Sequence, residues 1–528
     1  MTDTERRPGV APLEISYSDD PRVVSQAATE DYSTHVMPLT WRSGRLSLTM
    51  AWWAFISAIF YMVTAATIAQ VVGPRDAVIG IVLSVVAYGA INYVFSRYAN
   101  RTGLTVALLS RRMFGYLGAA LAPLLLAATA IYLAVFEASV VAVALQAYVG
   151  VGAIEVWYLV VVLYSLPLVI GGVRRWLDKF NGVLLPFYAA GLVAAVVLAG
   201  LRYGVPDGWL TATPAVPAPV SAPGWAFAFF AYMGVWVAMM MTTDFARFGK
   251  PADARFHGIV TFGPVFYTVA FLVNGLVGIF LVAAAPGDGP VSEVSVVFAI
   301  VQLMGLLGVL FILVTQTRIN TGNLYLASMN LEAFGNRVLK IKMRRVGWLV
   351  VVGVLTYLLM LTDVLTYLLT ALAWQGVFVV AWVGIALTHI LLNRGREDLP
   401  EFRPGRVAPF APGVVAWFVA SGLGILLYEA GGTVGATWSS PVTLVTSVLL
   451  YALASRLSWR VVLDRPGDPR DEVEDMWEAR IRCHSCDRSY IAVEMDRDPS
   501  TPDHAPICAD CGSASTAFLR AARAESEG

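Results

Sequence analysis

Residues 311–331 read FILVTQTRINTGNLYLASMNL. Both flanks are strongly apolar, yet the middle holds Gln316, Arg318, Asn320 and Asn323. A guanidinium at the centre of a bilayer costs about 2.5–3.5 kcal/mol on insertion scales, so an arginine kept there is a functional candidate. A helix starting near Ser292 would bring Arg318 to the interface, where its stem can snorkel. A helix starting near Gly305 buries it. The Gly-Pro pair at 289–290, the single Glu293 and the apolar run LYLASM after the polar patch favour burial.

The rest of the chain agrees with a membrane setting. Of 528 residues, 57% are apolar and 14% charged, with mean hydropathy +0.66. Soluble domains carry about 25% charged residues, and a spanning helix needs roughly 20 apolar ones. Runs that meet this need lie near 47–71, 76–96, 117–148, 156–172, 181–201, 224–243, 258–284, 303–332, 346–361, 364–391, 409–428 and 441–459. The expectation is an all-α polytopic protein of about twelve spans, with 286–302 as an outer loop and surface helix. Net charge is zero, which gives no basic surface for nucleic acid. No cleavable signal peptide is visible in the polar N-terminal stretch.

Basic residues set the orientation. Between Arg97 and Arg406, alternate loops hold nineteen Lys or Arg, and the opposite loops hold two, Arg75 and Arg202. Both termini are therefore expected in the cytosol of a multi-pass cell-membrane protein. The domain plan is a cytosolic tail over 1–44, a membrane core over 45–461, a charged linker over 462–480, a small module over 481–515 and a polar tail over 516–528.

All four cysteines fall in that module: Cys483 and Cys486 in RCHSC, Cys508 and Cys511 in ICADC. Two C-x2-C knuckles converging on one ion make a closed tetrahedral site, as in a zinc ribbon. A reducing cytosol disfavours disulfides. Structural zinc is the reading, with rubredoxin-like iron and a redox-active pair as alternatives. His484 lies between two ligands and reads as a bystander.

Inside the membrane core Glu137 sits mid-span in AIYLAVFEASVVAVAL and is the natural partner for Arg318. Broken helices expose main-chain groups to substrate in secondary transporters. Ser57, Ala58, Tyr61 and Thr64 in the first span, and Gly234 beside Trp236 in the sixth, suit such breaks. Ordinary small-residue packing accounts for them equally well. Asp244 and Arg247 are three apart and suit a pair on one helix face; His389 reads as packing.

Four stretches then carry a resemblance. EDYSTHVMPLTWRSG (30–44), RTGLTVALLSRRMFG (101–115), TTDFARFGK (242–250) and NTGNLYLASMNL (320–331) resemble motifs of nucleobase–cation symporters, the purine–cytosine permeases and hydantoin transporters. The resemblance spans roughly residues 30–460. It implies two inverted five-helix repeats of the LeuT type plus two accessory helices, with alternating access to a planar heterocycle between spans 1, 3, 6 and 8. It also implies that Trp236 stacks on the substrate ring and Asn323 reads its edge. Tyr132, Phe136 and Glu137 are the third-span candidates, and Gly234 and Ser57 border the site. Sodium-dependent members use eighth-span hydroxyls and first-span carbonyls. Here those hydroxyl positions fall on Thr317 and Arg318, opposite Ala58 and Tyr61. Arg318 would then stand in for sodium and a titrating Glu137 would supply proton coupling, with proton and sodium both kept as candidate coupling ions. The alternative is a membrane sensor whose metal module signals to a cytosolic protein partner. No nucleophile–base set points to an enzyme.

Overall fold

A computed structural model of the chain describes residues 10–527 apart from 31, 171–176, 216, 218, 285–292, 342, 363, 396–398 and 457–460. Among these residues seven helices are long and apolar enough to cross a membrane, and two bent pairs raise the number to nine. The other three expected spans are also helical. Ile154–Val169 and Arg345–Met360 are short, and Leu306–Phe334 carries the polar patch. The end of the fourth span and the first part of its basic loop, 171–176, lie outside the described residues.

The bent pairs are the first and sixth spans. Arg45–Ser57 and Ile59–Val72 meet at 44°, and Gly224–Met233 and Val237–Ala246 meet at 45°. Ala58 is extended, with φ −63° and ψ 124°, so the helical hydrogen-bond ladder stops there. The same break five spans apart is how an internal repeat presents itself.

Two boundaries differ from expectation. The third span begins at Leu121 rather than 117, because Gly115 (φ +81°) turns the chain sharply within the helical segment Val106–Gly118. The twelfth begins at Gly432, with Pro441 inside the helix rather than starting it. Spans tolerate internal proline when neighbours satisfy the freed carbonyl. Gly305, at φ +56°, separates the surface helix Glu293–Met304 from Leu306–Phe334. Arg318 therefore lies roughly 18 Å from one end of that helix and 24 Å from the other, at 1.5 Å per residue.

The terminal regions depart most from the sequence reading. Residues 10–44 are not a solvated tail: Val23, Ala27, Tyr32, His35, Val36 and Met37 are buried. Ile15–Ser16 pairs antiparallel with Arg480–Arg482, which pairs with Ser489–Ile491, so the N-terminus completes the sheet of the C-terminal module. Met495–Arg497 and Pro506–Cys508 form a second hairpin. The stretch over 462–480 is docked rather than loose, since Arg403 pairs with both Glu401 and Asp468 at 2.6 Å. The final residues form a helix, Thr516–Glu527, that buries Phe518. Short-range polarity predicted exposure, but arginine stems and paired carboxylates are compatible with burial.

Close packing supplies one test. A Cβ on Gly278 would stand 2.2 Å from the Met62 carbonyl oxygen, where the seventh span crosses the first, whereas Gly422 has open space. Gly278→Val should destabilise the protein by about 1–3 kcal/mol through overpacking. Thermal unfolding in detergent should show a clear loss for that variant and none for Gly422→Ala. A second test uses the ion cluster. Arg403→Met strands two partly buried carboxylates, and a loss of about 1–3 kcal/mol is expected in the same measurement.

Candidate functional site

Breaking the first span frees carbonyls inside the bundle, and each must find a donor. Ser57 Oγ lies 2.8 Å from the Ala54 oxygen and 2.9 Å from the Thr315 oxygen. The Ile56 carbonyl accepts from Asn274 Nδ2 at 2.6 Å and from the Tyr188 hydroxyl at 3.3 Å. The Trp53 carbonyl accepts from Arg318 Nη2 at 2.9 Å. Arg318 is fully buried, and its guanidinium carbon sits 5.6 Å from the centre of the Tyr188 ring, within cation–π range. Its Nε and Nη1 have no hydrogen-bond partner among the described residues. The side chain does not snorkel.

The eighth span has two chemical faces. At about 100° per residue, Gln316, Asn320 and Asn323 form one stripe, and Arg318 points roughly the opposite way. Gln316 Nε2 donates to the buried Glu137 carboxylate of the third span. The expected pairing of Glu137 with Arg318 is therefore absent. The carboxylate meets one face of the helix and the guanidinium leaves from the other. Thr317 points a third way, its hydroxyl 2.8 Å from that of Tyr164 on the fourth span.

Several polar atoms on the stripe are buried without a partner among the described residues: Gln316 Oε1, Asn320 Oδ1, and both Oδ1 and Nδ2 of Asn323. Trp236 Nε1, at the sixth-span break, is in the same condition. Unpaired buried polar groups are costly, and here several of them share one helix face and the sixth-span break. Trp236 meets Tyr88 edge-on at 6.3 Å, and Tyr88 donates to the Tyr232 carbonyl at 2.6 Å. Tyr61 packs on Phe271 at 5.3 Å, and Phe136 on Phe60 at 6.0 Å. Tyr132 is half-buried, and Gly234 is exposed at the turn.

The structure thus gathers Ser57, Ala58 and Arg318 at the first break, Gly234 and Trp236 at the second, and Glu137 against the eighth span. It leaves Thr317 to Tyr164 and commits the Ser57 proton to main-chain carbonyls. Sequence reading missed Tyr188 and Asn274, and it noted Gln316 without giving it a role. Asn274 and Gln316 were detectable as lone amides in apolar runs; Tyr188 carried no such mark. The Asp244–Arg247 side-chain pair is not what forms. Asp244 accepts from the Val106 amide and Asn330, while Arg247 donates to the Asp244 and Tyr32 carbonyls. His389 is buried, 3.0 Å from the Tyr451 hydroxyl.

In the C-terminal module one sulfur from each of Cys483, Cys486, Cys508 and Cys511 lies within 4.8 Å of all the others. Tetrahedral zinc with bonds of about 2.3 Å needs sulfurs about 3.8 Å apart, so small side-chain adjustments suffice. Main-chain N–H groups of Cys508 and Cys511 point at the sulfurs of Cys483 and Cys508 at 3.3 and 3.4 Å, a geometry that favours thiolates. His484 bonds Asp498 instead, at 3.0 Å. Nearby, His35 faces Glu494 at 3.1 Å. Burial opposes the imidazolium, but the Glu494 carboxylate outweighs it and pushes His35 up to about 9.

Two broken helices facing a polar stripe define a polytopic membrane transporter of the LeuT-type fold. The solved structures agree. Mhp1, a nucleobase–cation-symport-1 family transporter, in a closed conformation with bromovinylhydantoin bound, is 18% identical with TM-score 0.64, over 81% of this chain and 94% of that one. Its inward-facing form gives 17% and 0.65, over 83% and 96%. A Na+-coupled sialic acid symporter in a substrate-bound outward-open state gives 12% and 0.59, over 82% and 93%. No curated protein matches the sequence. The family model for permeases of cytosine and purines, uracil, thiamine and allantoin matches residues 40–401. The chain belongs to that family, which consists of membrane transporters rather than enzymes.

The Ile56 carbonyl offers a check on the first break. Asn274→Ala removes its closest donor and a partner of Tyr188. A stability loss of about 1–3 kcal/mol is expected, read as a lower unfolding temperature in detergent.

Proposed function

We propose that the chain is a secondary transporter working by alternating access, and that it carries a small planar nitrogenous compound such as a nucleobase, hydantoin or related vitamin. The observation that carries the reading is the Arg318 guanidinium on the Trp53 carbonyl at the first-span break. Sodium-coupled members of the family hold their ion between first-span carbonyls and eighth-span hydroxyls. A tethered cation on such a carbonyl supplies the same charge without an ion and repels any sodium that approaches. The transporter is then independent of sodium.

Substrate recognition falls to the opposite face. Trp236 offers a ring to stack on, and the Asn323 amide offers a donor and an acceptor to a heterocycle edge. Glu137, held by Gln316, favours a substrate rich in donors or positively charged, and is the group able to carry a coupling proton. The basic loops place both termini in the cytosol. The four cysteines take zinc, which here supplies only a structural crosslink because no coordination position stays open.

Purified protein in liposomes tests this. Uptake should continue unchanged when choline replaces sodium, and Arg318→Ser should make it sodium-dependent. Asn323→Ala should weaken substrate binding by about 1.5 kcal/mol, roughly tenfold in Kd. Glu137→Gln should remove the dependence of uptake on a pH gradient. Steep sodium dependence of the unaltered protein would overturn the assignment of Arg318. Metal analysis should find a single zinc per chain, lost in Cys483→Ser.

A further inference from the structure

We propose that the four-cysteine module is a metal-dependent latch on the cytosolic mouth: with its ion bound, it keeps residues 32–35 tied across the ends of the sixth and eighth spans and holds the inner side shut. This rests on the zinc and orientation readings above.

The knot is short and specific. The Tyr32 carbonyl accepts from Arg247 Nη1 at 3.0 Å, just past the sixth span. The Ser33 hydroxyl donates to Glu332 near the end of the eighth. His35 faces Glu494 of the module at 3.1 Å and stacks on Tyr490 with ring centres 4.6 Å apart. The Val36 amide donates to the same carboxylate at 3.2 Å. Tyr32 adopts φ +60°, a left-handed conformation that a non-glycine residue keeps only when its surroundings impose it. A second grip lies on the far side of the module. There the Ser513 carbonyl accepts from the Tyr116 hydroxyl at 2.8 Å and from Lys340 Nζ at 3.2 Å.

Both grips depend on the knuckles. Glu494 sits in the turn Ala492–Glu494, between a strand of one hairpin and a strand of the other. Ser513 follows Cys511 by two residues. Strands of three residues are not stable as isolated hairpins, so the crosslink that joins them positions Glu494 and Ser513 together. The tail runs from this knot straight into the first half-helix. On the way the Ser43 amide donates to the Phe248 carbonyl at 2.7 Å. In alternating access one group of helices rocks against the rest of the bundle. Any movement of the first span away from the eighth at the inner side must first separate Ser33 from Glu332.

The full-length protein in nanodiscs provides the test, by hydrogen–deuterium exchange with and without chelator, alongside metal analysis. Chelation should lower protection over residues 32–44 by about tenfold or more, with a parallel loss in Val237–Ala246. Glu494→Gln should loosen 32–36 while keeping its metal, and Tyr116→Phe should loosen 509–515. Metal-free protein that keeps 32–44 protected overturns the latch and leaves the metal reading standing, as does a metal-loaded Glu494→Gln with an unchanged tail. Native protein without bound metal overturns both, and the metal analysis tells the cases apart.

Discussion

The hydrogen bond from Arg318 to the Trp53 carbonyl is the constraint around which the membrane core is organised. An interrupted helix inside a bilayer leaves carbonyls that lipid cannot satisfy. This chain meets the demand with its own side chains: a guanidinium on Trp53, an amide and a phenol on Ile56, a hydroxyl on Ala54. The same demand explains why a charged residue persists where insertion disfavours it. Neutral neighbours accept the cation, because the Tyr188 ring lies against it and the helix dipoles at the break present oxygen.

With Arg318 committed on one side of the eighth span, the amides lie on its other side. Gln316, Asn320 and Asn323 repeat at helical spacing, and Gln316 meets Glu137 of the third span. A single helix thereby separates the charge that steadies the scaffold from the amides suited to read a ligand. The separation is geometric, set by 3.6 residues per turn.

Outside the membrane core, four cysteines cluster in a small module that is tied into the rest of the chain. Its sheet takes a strand from the N-terminus, and its turns touch loops from the middle of the chain. Residues distant in sequence become one surface, and arginines that look like a solvated charge run become buried links, as with Arg403 and Arg465.

Twelve apolar runs, the asymmetry of basic loops, the paired C-x2-C spacing and the polar patch around Arg318 were all readable in the sequence, because hydropathy, charge and short spacings are local. Four motifs in order were enough to indicate the family. The partners were not readable. Glu137 and Arg318 are the conspicuous charges of opposite sign, yet they never meet, since which face of a helix each approaches depends on the crossing of three spans. Tyr188 looks like any interfacial tyrosine until folding brings it beneath the guanidinium. The N-terminal residues look solvated because their burial comes from a sheet closed by strands more than 460 positions away. Composition and hydropathy by themselves determined a polytopic membrane protein built from apolar helices. Only the tertiary structure decided which polar groups satisfy one another, because a hydrogen bond requires two atoms within about 3 Å, and no local pattern carries that distance.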